Sequence, residues 1–165
     1  MYTGDIFATD ITEEILHTNI ARDLGINYLS EATGDKLIHC PQMVNGYIFG
    51  KAGRSIIPFP ISFNSPPRWV FFMFDTGAPQ TFLTEQASKA IGVIPDPEEP
   101  GTVLDINGYL TTVFISPNNC LFAHINLLGT LFCRLNHVFA VEDYYRGTVS
   151  FHFGGKWKLV EKKGL

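Results

Sequence analysis

At 165 residues, with 45% hydrophobic, 13% aromatic and 17% charged side chains, 15 Gly and 10 Pro, the chain has the composition of a turn-rich globular unit, which excludes a disordered or fibrous protein. The formal net charge of -4 leaves no basic stripe to neutralise phosphates, the densest cationic cluster being Lys162 and Lys163, so nucleic acid is excluded as the main partner. No apolar run approaches the roughly 20 residues that cross a bilayer, and the first residues lack the basic-then-apolar order of a signal peptide, so an intracellular, cytoplasmic protein with no membrane partner is expected.

Residues 1–42 read as an N-terminal appendage to a domain spanning 43–165. Within the appendage, Ile11, Ile15, Leu16, Ile20 and Leu24 recur at helical spacing, with Asp10 or Thr12 in position to cap the start and Gly25 to end the helix. The polar stretch that follows, residues 30–36, has no period. From Met43 the pattern changes to short aromatic and β-branched runs at 44–49, 55–63 and 69–74, separated by glycines and by the turn-forming residues 64–67. These predict strands. Residues 85–92 predict a short helix closed by Gly92, and the proline-rich stretch 94–101 a loop.

Further on, 102–106 and 109–116 flank Asn107-Gly108, the pair best suited to a two-residue hairpin turn because both positions must tolerate positive φ. A second hairpin is expected where 138–142 and 148–153 flank residues 143–147. Tyr144 and Tyr145 fall in that turn, with Gly147 closing it.

Cys40, Cys120 and Cys133 are odd in number and widely spaced, which suggests neither a disulfide framework nor a thiolate metal site. His39 with Cys40, and Cys133 with His137, supply two ligands each where a structural zinc site needs four, so no metal site is expected.

The segment that carries chemistry is 70–83, in which Asp75 ends an apolar strand and is followed at once by Thr76, Gly77 and Ala78. Burying a carboxylate costs several kcal/mol unless it is hydrogen-bonded or neutralised, and glycine two residues on suits a tight turn that another backbone or a ligand can approach. A plain Asp-x-Gly turn would give the same three letters. His124 is a titratable side chain further along, but a lone histidine reads as a surface residue and is not assigned a role.

The run Phe74-Asp75-Thr76-Gly77-Ala78 resembles the active-site loop of the retropepsin-like aspartic proteases, the single-lobed enzymes of retroviruses and retroelements and their cellular relatives. The family carries, some fifty residues later, two apolar residues and a glycine beneath that loop, and this chain has Leu127, Leu128 and Gly129. Residues 105–117 look like the hairpin leading into that strand. The resemblance implies a mainly β, closed barrel-like fold of the acid-protease type with one or two short helices. It implies an aspartic endopeptidase with Asp75 as catalytic carboxylate, Thr76 hydrogen-bonding across a two-fold axis, Gly77 offering its backbone to an extended peptide substrate, and Ala78 keeping the loop compact. Pro79 and Gln80 would also face substrate, although retroviral members often place acidic residues there. The family closes its cleft with a glycine-rich flap, and the stretch available here, 94–101, is short, proline-rich and acidic.

One Asp-Thr-Gly loop supplies half of a carboxylate pair, so the second half has to come from a second copy, making a homodimer the expected partner state. Two other readings stay open at this point. One is a non-catalytic dimerisation or peptide-binding module of the same fold without a working flap. The other is a monomeric domain in which Asp75 is a turn residue.

Overall fold

The computed structural model describes residues 10–33, 42–94, 96, 98 and 101–154. The helical spacing near the start becomes α1 (Glu13–Ile15), a π-helical segment (Leu16–Ile20) and α2 (Ala21–Leu24) in continuous succession. Thr12 caps it, its hydroxyl accepting from Ile15 N at 3.2 Å, and Gly25 closes it at a φ of 66°. The π-helical widening differs from the uniform helix expected, and Thr18 offers a cause. Its hydroxyl donates to the Glu14 carbonyl at 2.7 Å, and such back-bonding competes for a helical acceptor.

The remaining elements are β1 (Met43–Phe49), β2 (Arg54–Ser62), β3 (Arg68–Asp75), β4 (Thr81–Leu83), α3 (Glu85–Ala90), β5 (Gly101–Ile106), β6 (Tyr109–Ile115), β7 (Asn126–Gly129), α4 (Thr130–Leu135), β8 (Phe139–Asp143) and β9 (Thr148–His152). The strands run in the order β3, β7, β4, β6, β5, β2, and the pairing of β2 with β3 closes these six into a barrel. From β2 the sheet continues outward through β1, β9 and β8. The fold is therefore mainly β, a closed barrel with few short helices. The expected turn at Asn107-Gly108 is present, with φ values of 57° and 87° and Gly108 N donating to Asp105 Oδ1 at 2.7 Å.

β2 contains Pro58 and Pro60, an unusual composition for a strand inside a sheet. Its neighbours explain the tolerance. The Pro60 carbonyl accepts from Asn107 N, so the Pro60 nitrogen points to the same edge, as does that of Pro58 two residues earlier. On this edge the β1 ladder has ended at Ile56 and the β5 ladder begins only at Ile61, so neither proline removes a ladder hydrogen bond.

One hydrophobic core joins the barrel to the helical segment, running from Ile11, Leu16 and Ile20 through Tyr28 to Phe71, Leu128 and Phe151. Within it, Phe59 meets the rings of Phe72, Phe132, Phe151 and Phe153 at centroid distances of 5.9–6.2 Å, where edge and tilted contacts add to the burial itself. Residues 29–32 lie along β3. Leu29 N donates to the Trp69 carbonyl at 2.8 Å, and Trp69 N to the Ser30 carbonyl at 2.9 Å. They occupy the start of the edge that β7 takes over from Phe72 onward.

Candidate active site

The β3 run is apolar and buried from Trp69 to Met73 and emerges from the core only at its end, leaving Asp75 half-buried and Thr76 and Gly77 exposed. Asp75 organises the turn that follows it. Its Oδ1 accepts from Gly77 N at 2.8 Å, and its carbonyl accepts from Ala78 N at 3.3 Å. Among the described residues, no other hydrogen-bond donor meets the carboxylate, and Asp75 lines the cavity described below. A side chain ending an apolar strand is thus fixed on one oxygen and available on the other, a geometry suited to exchanging a proton.

β7 runs parallel to β3, setting Met73 opposite Leu127, Phe74 opposite Leu128 and Asp75 opposite Gly129. Leu127 and Leu128 are buried. Gly129 then becomes the N-cap of α4, where it has no side chain to satisfy the helix's first N–H groups. The loop after Asp75 does this instead: Thr130 N donates to the Ala78 carbonyl and Leu131 N to the Pro79 carbonyl, both at 2.9 Å. Helix and loop hold each other, at a distance that only glycine permits. A Cβ at position 129 would stand 2.2 Å from the Gln80 carbonyl oxygen and 2.6 Å from that of Pro79. The φ of Gly129 is -84°, open to any residue, so space and not backbone conformation requires glycine here. The side chains of Pro79 and Gln80 lie exposed on the loop's outer side.

Beneath the loop, a buried amide ties three elements together. Asn126 on β7 accepts from Thr84 N at 2.9 Å and donates to Tyr28 Oη at 2.7 Å and to the Phe71 carbonyl at 3.0 Å. The buried amide oxygen and both amide protons have partners, as a polar group this deep must. Burial pushes the Tyr28 hydroxyl up to about 12, a shift that the Asn126 hydrogen bond partly opposes.

Asp75 and Thr76 open into a cavity of about 480 Å³. Its walls are Met73, Phe74 and Leu127 on the barrel side, Leu121 and Phe122 from the turn before β7, and a polar group from elsewhere: Arg54 and Ser55 of β2, Glu142 of β8 and Tyr144. The four polar residues were not singled out as site residues from sequence. Ser55 and Glu142 are 87 positions apart, and only the pairing of β2 through β1 and β9 to β8 brings them together. Ser55 Oγ donates to Glu142 Oε1, and Tyr144 Oη donates to Glu142 Oε2 at 3.1 Å.

His124, Cys133 and His137, also weighed from sequence, do not line this cavity. His124 is on the surface, 3.9 Å from Glu13. Cys133 packs against the core, where burial pushes its thiol up to about 12. His39 and Cys40 lie outside the described residues. Among the described residues no cluster of three His, Cys, Asp or Glu is arranged to hold a metal ion, and no helix is long and apolar enough to cross a membrane.

No family model matches the chain, and no curated protein matches its sequence. Among solved structures, the chain is similar to a retropepsin-like aspartic protease from Rickettsia conorii, with 16% identity and a TM-score of 0.45 over 67% of this chain and 90% of that one.

Proposed function

We propose that the chain is one half of a homodimeric aspartic endopeptidase, with Asp75 of each copy forming the catalytic pair. The observation that carries this reading is the half-buried Asp75 lining the cavity, pinned through Oδ1 by Gly77 N–H with Oδ2 uncommitted, at the head of an Asp-Thr-Gly-Ala turn. The exposed Thr76 and Gly77 beside it give a second copy a surface on which to dock the same loop face to face.

Two carboxyl groups about 3 Å apart do not both ionise at moderate pH, so the pair holds one proton, and aspartic proteases are the standing example of such coupling. The ionised member takes a proton from a water held between them, and the water oxygen bonds to the scissile carbonyl carbon. The protonated member gives its proton to the carbonyl oxygen. When the resulting diol collapses, the C–N bond breaks, the leaving nitrogen takes up a proton, and the products are a carboxylic acid and an amine. The exposed loop backbone at Gly77 suits an extended peptide bound as an added strand. The chemistry calls for no metal or organic cofactor.

A binding module without catalysis is the second reading, favoured by one feature: Pro79 and Gln80 stand exposed where acidic side chains would hold a substrate backbone. Cleavage of a broad peptide library separates the two. The endopeptidase cuts at acidic pH, is blocked by statine-like transition-state mimics and loses all cleavage as Asp75→Asn. A dimer that binds peptides and cuts none supports the module.

A further inference from the structure

We propose that Glu142 is the specificity residue of the cleft, recognising a basic side chain, Lys or Arg, in the peptide presented to Asp75. The inference rests on the peptidase reading for its biological sense, but the recognition it describes is measurable without turnover.

Glu142 sits on β8, the last strand of the extension, where a glutamate can simply extend into water. It is exposed there, and it also lines the cavity that holds Asp75 and Thr76. Two hydroxyls from different elements hold it there, Ser55 Oγ on Oε1 and Tyr144 Oη on Oε2. Tyr144 is itself positioned. Its ring lies against Gly53, where a Cβ would approach Cε1 to 3.4 Å, and Gly53 adopts a φ of 67° that disfavours any other residue.

The two donors that hold Glu142 are neutral hydroxyls, and each carboxylate oxygen retains a lone pair for a further donor. Among the described residues, Glu142 makes no ion pair. The cation in the same wall, Arg54, is turned to Asp10, its Nε 3.6 Å from Oδ1, and Asp10 does not line the cavity. Leu121, Phe122 and Leu127 add apolar surface to a lining that also carries Thr76, Arg54 and Ser55. Apolar side chains beside a hydrogen-bonded carboxylate suit an aliphatic stem ending in a cation, which describes lysine and arginine.

The test is peptide binding to the Asp75→Asn protein, read by fluorescence anisotropy, with a peptide series that carries lysine at one position at a time and a matched series with norleucine, which keeps the stem and removes the charge. At one position lysine is expected to bind roughly tenfold more tightly than norleucine, and Glu142→Gln to bring that ratio to about one. Tyr144→Phe, a change on an exposed turn that removes one of the two anchors, is expected to lower the ratio to an intermediate value. A ratio near one in the Asp75→Asn protein, a ratio that survives Glu142→Gln, or no peptide binding at all overturns the proposal. Binding with the expected ratio, but no cleavage by the wild-type chain, leaves the recognition standing and sinks the peptidase reading. Cleavage without charge preference does the reverse.

Discussion

Replacing Gly129 by alanine tests the packing that holds the Asp-Thr-Gly-Ala loop. The added Cβ would stand 2.2 Å from the Gln80 carbonyl oxygen and 2.4 Å from its carbonyl carbon, where ordinary contact begins at 3.4 Å, so the two backbones must part by about an ångström. Neither is a flexible side-chain end that could swing aside. Overpacking of this kind costs about 1–3 kcal/mol. The separation also stretches the bonds from Thr130 N and Leu131 N to the loop carbonyls, each worth about 0.5–1.5 kcal/mol net. Gly129→Ala is therefore expected to lose about 2–5 kcal/mol in urea unfolding and to lose catalysis beyond that, because the displaced segment begins three residues after Asp75. Gly92→Ala is the control. Gly92 has a φ of 80° and nothing within 4 Å of the added Cβ, so it is expected to cost only about 1 kcal/mol, through backbone conformation alone. Equal, small losses in the two variants would refute the argument from space.

The amide beneath the loop gives a second expectation. Asn126→Leu leaves Thr84 N and the Phe71 carbonyl buried without their partner and is expected to destabilise by about 3–5 kcal/mol, measured by the same unfolding assay. Tyr28 makes stability pH-dependent at the alkaline end. Its folded pKa is raised from 10.0 to about 12, so the neutral phenol is favoured in the fold; the stabilisation is complete below pH 10 and is lost as pH rises towards 12. Unfolding midpoints measured between pH 9 and 12 should fall for the wild type, and the fall should be shallower for Tyr28→Phe. Cys133, whose thiol is pushed up to about 12 by burial, is expected to react with a thiol reagent in the native state far more slowly than after unfolding.

Much of the barrel was legible along the chain because its strands announce themselves locally. β2 and β3 are aromatic and β-branched runs between turns, Asn107-Gly108 dictates its hairpin, and Thr12 and Gly25 bound the first helical segment as expected. What escaped was short or made by distant partners. β4 has three residues, too few to show alternation, and is defined by pairing with β6 and β7. In α4, the run Thr-Leu-Phe-Cys-Arg-Leu spans six residues without a side-chain N-cap. Its helical state depends on loop carbonyls more than fifty positions upstream that accept its first N–H groups. At the candidate site, Asp75 and its turn can be read from a few consecutive letters, since one carboxylate organises its own successors. The wall opposite cannot: Ser55, Glu142 and Tyr144 carry no mutual spacing signal, and meet only after three antiparallel ladders have placed β8 beside the cavity mouth.

The claim on which the rest depends is that each cleft needs one carboxylate from each of two copies. Subunit mixing tests it most directly: a fixed amount of wild-type chain is equilibrated with increasing Asp75→Asn chain, and peptide cleavage is followed. The expected result is a fall in cleavage towards zero as wild-type copies are drawn into mixed dimers that hold one aspartate and one asparagine. Cleavage that stays constant however much Asp75→Asn chain is added would show that a single copy suffices, and would contradict the shared site.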